Sequence, residues 1–310
     1  MNFILEKSYL DINIKLNKTS IEIVEEERED MKIDFKELRK KTSGELFDIS
    51  FWEDKLVIKE KDWSILPMAM SFFNDELETT LVLKIPKNIS VEGNIVTVNG
   101  DIDINAIKLD GKLKTVNGDI QIGYIQCNTL KIDCISGDTR IEKVNGFIKS
   151  KGVSGRFLIE KGHLKGFSHK GVSGDIYINA DFELEDDIQI NSVSGDIYLN
   201  VHSYHNDRHI YITSLSSDTD IKGAIPEDKI HIKKKMPTIK SFPFKDFMPM
   251  IKDVFSGFNT YKDDIDGEPN AEKQEPKSEK HQNEVAMILK MVSDGKINID
   301  EAERLIKALK

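Results

Sequence analysis

One five-residue motif recurs along residues 98–221, and it limits this chain to a repetitive fold. It first reads Val98-Asn99-Gly100-Asp101-Ile102. Neighbouring copies lie about 18 to 22 residues apart, which indicates that one supersecondary unit is repeated. The full copies are V-N-G-D-I at 98–102 and 116–120, I-S-G-D-T at 135–139 and V-S-G-D-I at 172–176 and 193–197, with degenerate copies at 144–147, 153–156 and 215–218.

Each motif contains a bend followed by a strand. Asn-Gly and Ser-Gly supply the backbone freedom for a sharp corner, because glycine tolerates positive φ and crowded positions without steric cost. After each acidic residue, apolar and polar side chains alternate, which is typical of a half-buried strand. We predict that the corner aspartates accept hydrogen bonds from corner amides. The predicted corner residues are Gly100, Asp101, Gly118, Asp119, Gly137, Asp138, Gly174, Asp175, Gly195 and Asp196.

Two arrangements of these strands compete. In a β-solenoid each repeat makes one turn, and the recurrent isoleucines stack into buried rows at a rise of about 4.8 Å. In an antiparallel meander each Asn-Gly forms a two-residue hairpin turn. The near-constant period favours the solenoid, because a meander has no need of a long-period repeat. We predict a mainly β fold, a β-solenoid of short stacked strands with a β-rich N-terminal region and a small C-terminal helical hairpin.

Composition and hydrophobic periodicity predict five segments along the chain. Residues 1–90 are predicted to be a β-rich N-terminal capping region, and residues 91–235 the solenoid repeats. Residues 236–260 carry apolar side chains at helical spacing and are predicted to be an amphipathic capping segment. Residues 261–282 are charged and poor in apolar residues, which is typical of a flexible linker. Residues 283–310 form the predicted helical hairpin.

The hairpin has two apolar stripes separated by Gly295. Asn298 and Glu301 have the spacing of a capping box at the start of the second helix. Two helices this short are not stable alone, so we predict that the hairpin self-associates or docks on another protein. The predicted partner-binding residues are Ile288, Leu289, Val292, Leu305, Ile306 and Leu309.

The net charge and the lack of targeting signals limit the classes of function that fit this sequence. The chain has 54 acidic and 44 basic side chains, a formal net charge of −10, which disfavours nucleic acid as a partner. Neither a signal peptide nor an apolar run of 18 residues is found, so we predict a cytoplasmic protein without a transmembrane segment and leave peripheral membrane association open. The two cysteines, Cys127 and Cys134, are predicted to be buried free thiols.

No pattern in the chain predicts chemistry. His202, His205 and His209 lie close together in a predicted loop at 201–208, but no fourth ligand has zinc-site spacing. A calcium loop ending at Glu301 is excluded because Lys290 and Val292 occupy its first ligand positions. Neither a nucleophile elbow nor a phosphate-binding glycine loop is present. We therefore predict a protein that is not an enzyme and that uses neither metal nor cofactor.

Two segments resemble known families. The V-S-G-D-I motifs, with Leu81-Val82-Leu83-Lys84-Ile85-Pro86 before them, resemble a bacterial family of adhesin-like β-strand-repeat domains of unknown function. Residues 288–297, followed by Asp300-Glu301-Ala302, are similar to SHOCT-like helical oligomerisation modules. The resemblance implies a link to the cell envelope or its stress response.

The leading functional hypothesis is a non-enzymatic binding or scaffold protein. One alternative is a surface adhesin that is exported by a non-standard route. A more remote alternative is a carbohydrate-active enzyme on a β-helix, which needs clustered carboxylates in a groove.

Overall fold

A computed structural model describes residues 1–36, 42–61 and 79–234. These residues form a β-solenoid of about 7 turns, as predicted. A short helix, α1 (Ser43–Leu46), directly precedes β5. The described strands are β1 (Asn2–Ile4), β2 (Tyr9–Lys15), β3 (Thr19–Glu26), β4 (Asp30–Lys36), β5 (Phe47–Trp52), β6 (Lys55–Glu60), β7 (Thr79–Pro86), β8 (Ser90–Val96), β9 (Ile102–Asn117), β10 (Ile120–Gln126), β11 (Leu130–Ser136), β12 (Thr139–Ser154), β13 (Phe157–Ile159), β14 (Gly162–Gly171), β15 (Ile176–Glu183), β16 (Ile188–Ser194), β17 (Ile197–His205), β18 (Ile210–Ser216), β19 (Thr219–Gly223) and β20 (Ile230–Lys234).

The strands stack in two parallel ladders. The first ladder runs through β3, β9, β10, β12, β13, β15, β17 and β19. The second runs through β2, β8, β9, β11, β12, β14, β16, β18 and β20. Parallel pairing of successive repeats excludes the antiparallel meander, in which each strand would pair with its own hairpin neighbour.

The recurrent isoleucines form the core. Ile102 pairs in register with Ile120, and Ile176 pairs with Ile197. All four are at most 1% exposed, whereas the alternating residues between them point outward. Identical branched side chains at the same position in successive coils therefore stack into buried rows in the interior.

The N-terminal residues form a coil between two later coils. Strand β2 pairs in parallel with both β6 and β8, and β3 pairs in parallel with both β7 and β9. The β2–β3 coil therefore lies between the β6–β7 coil and the β8–β9 coil, and we call it the intercalated coil. Parallel coils thus begin before residue 91, whereas β1, β4 and β5 pair antiparallel. The division into a capping region and repeats at residue 90 stays a prediction.

Some sequence predictions fall on other parts of the chain or differ from the structure. The capping segment at 236–260, the linker at 261–282 and the hairpin at 283–310 lie outside the described residues. The loop predicted at 201–208 was wrong at its start, because β17 continues through His205 and pairs with β15 there. Within the described ranges, no helix is long and apolar enough to cross a lipid bilayer.

Candidate functional site

The corner aspartates connect each coil to the next. At several corners the carboxylate accepts a hydrogen bond from the backbone N–H of the equivalent residue in the following coil, so a corner amide is satisfied there. The N–H of Asp119 donates to Asp101 Oδ1 at 2.7 Å, and that of Asp138 donates to Asp119 Oδ1 at 2.8 Å. The N–H of Asp196 donates to Asp175 Oδ1 at 2.9 Å. These carboxylates therefore have a structural role, which they fill whether or not a ligand binds.

The corner glycines stack so closely that no side chain fits between them. A Cβ added to Gly174 would lie 1.9 Å from the carbonyl oxygen of Gly155, and one added to Gly137 would lie 2.1 Å from that of Gly118. Both glycines also have positive φ, which L-residues rarely adopt. The structure thus places all the predicted corner residues in one row, with the corner of Gly155 and Arg156 between Asp138 and Gly174. The predicted residues in that row are Gly100, Asp101, Gly118, Asp119, Gly137, Asp138, Gly174, Asp175, Gly195 and Asp196.

Sequence reasoning did not predict which side chains hold the corner of the intercalated coil. Ser20 Oγ accepts the N–H of Asp101 at 3.0 Å and so replaces the usual carboxylate. Glu60 Oε2 accepts the N–H of Asn17 at 2.7 Å and the hydroxyl of Thr19 at 3.0 Å from the coil on the other side. The only sequence signal was a polar run, N-K-T-S at 17–20, between two alternating segments.

Arg156 interrupts the row of aspartates. It occupies the aspartate position of the degenerate motif at 153–156, and its backbone N–H donates to Asp138 Oδ1 at 2.7 Å. Its guanidinium donates to Asp138 Oδ2 through Nε at 2.9 Å and through a terminal nitrogen at 2.6 Å. Burial acts to raise the pKa of Asp138, but these hydrogen bonds outweigh it and hold the pKa below its usual value. The charge of the row is therefore neutralised at this coil.

Beside the corners, one outward-facing residue per coil lines up along the first ladder. We call these residues the outward strip. Their chemistry changes along the solenoid, from acidic at one end through a neutral amide, a basic residue and an apolar residue to two aromatic residues and then acidic again. In coil order the strip is Glu22, Asp103, Gln121, Arg140, Leu158, Tyr177, Tyr198 and Asp220.

The corner aspartates orient the two tyrosines of the strip. The rings of Tyr177 and Tyr198 are stacked, with centroids 4.8 Å apart and planes at 6°. The hydroxyls donate to Asp175 Oδ2 at 3.4 Å and to Asp196 Oδ2 at 3.3 Å. Partial desolvation and the Asp175 carboxylate raise the pKa of Tyr177, so its hydroxyl remains a donor at neutral pH. The aromatic pair is thus fixed in place before any ligand arrives.

A depression of about 290 Å³ lies where the strip passes the Arg156 corner. We call it the Arg156 depression. Both of its arginines are paired, Arg156 with Asp138 at 2.6 Å and Arg140 with Glu160 at 2.6 Å. The lining residues are Asp119, Ile120, Gln121, Asp138, Thr139, Arg140, Arg156, Leu158 and Tyr177.

Two family models match the chain. A family model described as Toastrack DUF4097 matches residues 9–239, which is most of the chain. The chain belongs to the Toastrack DUF4097 family. A second model, described as a SHOCT-like domain, matches residues 283–310. A search of curated proteins found no match. The Toastrack match begins at residue 9, the first residue of β2, and so includes the intercalated coil.

The cysteines of the Toastrack domain are buried and free. Burial raises the pKa of both Cys127 and Cys134 to about 12, so neither is a thiolate at neutral pH. The Cys134 thiol donates weakly to the carbonyl of Gly137 at 3.3 Å. A structural role inside the corner accounts for this thiol.

The structure brings the three histidines of the predicted loop to different positions. His202 and His205 are exposed on β17, and His209 packs against Tyr211 and His231 with ring centroids 5.9 and 5.1 Å away. In the part of the Toastrack domain that the structure describes, no group of three metal-ligating side chains converges. The predicted partner-binding residues Ile288, Leu289, Val292, Leu305, Ile306 and Leu309 lie outside the described residues.

Proposed function

We propose that this Toastrack protein is a non-enzymatic binding scaffold. The outward strip is the binding surface, and the SHOCT-like segment joins copies of the chain or recruits a protein partner. The observation that carries the proposal is the contrast between the two sides of each coil. Residues of the core and of most corners repeat from coil to coil. Residues of the strip differ, from Asp103 to Leu158 to Tyr177, while an apolar core is kept.

The polar chemistry of the repeat also supports a binding role. The recurrent aspartates are engaged with backbone N–H groups of the next coil, at 2.7 to 2.9 Å for Asp101, Asp119 and Asp175. A general acid or base needs a carboxylate that is free to exchange a proton with a substrate. A surface built from half-buried Leu158 and Tyr177 suits recognition instead, because apolar and aromatic groups contribute most of the energy at binding surfaces.

The SHOCT-like segment supplies the second part of the proposal. Its two short apolar stripes, around Leu289 and Leu305, need a second surface to be buried. We place the protein in the cytoplasm, with peripheral membrane association through a protein partner. The net charge of −10 argues against direct binding to nucleic acid or to an anionic lipid surface.

Site-specific crosslinking tests the strip. A photo-crosslinking side chain at position 158 of the full chain, irradiated in lysate of the native host, is expected to form defined conjugates. The matched control carries it at exposed position 189, which faces outward on the second ladder. Equal conjugates from both positions, or none from position 158, would contradict the strip as a binding surface.

Fractionation tests the SHOCT-like segment. We expect the full chain to elute as an oligomer or to sediment with membranes, and a chain ending at residue 282 to do neither. Leu289→Asp in the full chain should reproduce the truncation, because a charge cannot be buried in an apolar interface. Lys296→Ala, between the stripes, is the control and should behave as the unsubstituted chain. If the truncated and full chains behave alike, the recruitment role is excluded.

A further inference from the structure

The Arg156 depression has an apolar wall built from two successive coils. Leu158 pairs in register with Tyr177, and Tyr177 pairs with Tyr198 in the next coil. One face of the Tyr177 ring is covered by the stacked ring of Tyr198, 4.8 Å away. The other face is therefore directed along the coil axis toward Leu158 and lines the depression. Such a wall suits the C–H face of a small ring that packs against an aromatic side chain.

The four charged side chains that line the depression carry no net formal charge. Two carboxylates, Asp119 and Asp138, balance two guanidinium groups, Arg140 and Arg156. An anionic ligand would meet the carboxylates and would have to compete with Asp138 and Glu160 for the arginines. A cationic ligand would meet the guanidinium groups. The electrostatic balance therefore favours a neutral ligand over either ion.

The same groups offer donors and acceptors close together. The guanidinium nitrogens of Arg140 and Arg156 donate, the carboxylates accept, and the amide of Gln121 does both. Hydroxyl groups, which both donate and accept, can pair with such a mixed set. The site is also open along the strip, so a linear ligand can extend over coils that are about 4.8 Å apart.

We propose that the Arg156 depression is a subsite for a neutral oligosaccharide, with one sugar ring packed on Tyr177 and Leu158 and its hydroxyl groups paired with Gln121, Arg140 and Asp138. The proposal rests on the proposed function, since it names the ligand class of the outward strip. It adds no catalytic step. The sugar is held and not cleaved.

Titration with defined oligosaccharides tests the proposal. The probes are cellohexaose, maltohexaose and chitohexaose, three neutral hexamers of different ring geometry, added to the full chain in calorimetry and in saturation-transfer NMR. We expect at least one to bind, with affinity at least about tenfold weaker in Tyr177→Ala, because the packing surface is lost. Tyr211→Ala is the matched control, since Tyr211 is an exposed aromatic residue on the second ladder. Circular dichroism of both variants verifies that the fold is retained.

Three results would overturn the proposal. They are no binding of any hexamer, equal binding by the Tyr177→Ala variant, and binding of inorganic polyphosphate at the depression in place of the sugars. Crosslinking at position 158 separates this failure from failure of the proposed function. If a protein is captured there while no hexamer binds, the binding scaffold stands and the carbohydrate assignment falls.

Discussion

At the scale of single residues, one carboxylate can stabilise the fold and also orient a side chain of the candidate site. Asp175 accepts the N–H of Asp196 with one oxygen and the Tyr177 hydroxyl with the other. Its neighbour Asp138 is bound instead by the backbone and side chain of Arg156. Substitutions at the corner therefore affect stability and the outward strip together, whereas substitutions on the strip need not affect the corner.

The corner carboxylate can be tested at Asp175. We expect Asp175→Ala to lower the free energy of unfolding by about 1–3 kcal/mol, because the Asp196 amide loses its acceptor. Asp175→Asn keeps an oxygen at that place and should lose less. Asp220→Ala, in the last coil of the strip, should change stability by less than about 0.5 kcal/mol, because its partner is the solvent-exposed Lys222. Urea unfolding measures all three, and equal losses at positions 175 and 220 would contradict the role of the corner.

A buried histidine gives the domain a specific pH dependence. His169 lies in the core, where its Nδ1 is 2.7 Å from Ser150 Oγ, and burial lowers its pKa from 6.5 to about 4. The imidazole of His169 therefore binds a proton below about pH 6.5 in the unfolded chain, but only below about pH 4 in the folded chain. Stability contributed by the neutral ring is complete above pH 6.5 and declines as the pH falls through this window.

Urea unfolding at pH 7 and pH 5 measures the effect of His169. The unsubstituted chain is expected to lose about 2 kcal/mol more between these pH values than the double variant Ser150→Ala, His169→Leu, which has no titrating group at this position. Ser150→Ala alone keeps the histidine and should retain the pH dependence. Equal pH slopes in the unsubstituted chain and the double variant would show that His169 does not titrate as described.

At the scale of elements, the coil spacing is set by the stack of corner glycines. Gly174→Ala would place a methyl group 1.9 Å from the Gly155 carbonyl oxygen at a φ of +129°. We expect a loss of at least about 3 kcal/mol in the free energy of unfolding, since strain and clash act together. Gly44→Ala is the control, because nothing lies within 4 Å of the added Cβ in α1, and it should be neutral or slightly stabilising. Thermal unfolding of the two variants gives the comparison.

The elements differ in how far the sequence could predict them. The coils at Gly118, Gly137 and Gly174 were predictable because stacking requires the same small residue at the same place in each turn. The hydrogen bonds of the corner at 17–20 were not, since Ser20 and Glu60 supply them from separate segments. The Arg156 depression was also not predictable, because it depends on which outward residues are neighbours across coils.

At the scale of the whole described domain, chain order and coil order differ. Strands β2 and β3 are near the N-terminus, yet each is paired on both sides by later strands. Within the described residues, β1 and β20 are each paired on one side only. Position in the sequence is therefore a poor guide to local stability in this domain.

Hydrogen exchange measured by mass spectrometry tests this arrangement. Backbone amides of β2 and β3 are expected to exchange as slowly as those of β10 and β12, because opening them requires two neighbouring coils to separate. The amides of β1 and β20 should exchange faster and serve as the internal control. Fast exchange in β2 and β3 would contradict their place between two coils.

The intercalated coil has a consequence for synthesis on the ribosome. Residues 9–26 leave the exit tunnel before either of their neighbours, β6–β7 and β8–β9, exists. This solenoid therefore cannot grow by adding each new turn to the last, as a repeat array in chain order can. The nascent segment, which is rich in β-branched residues, is not paired on both sides until about 70 more residues have been translated. During that interval it is the part of the chain most in need of a chaperone.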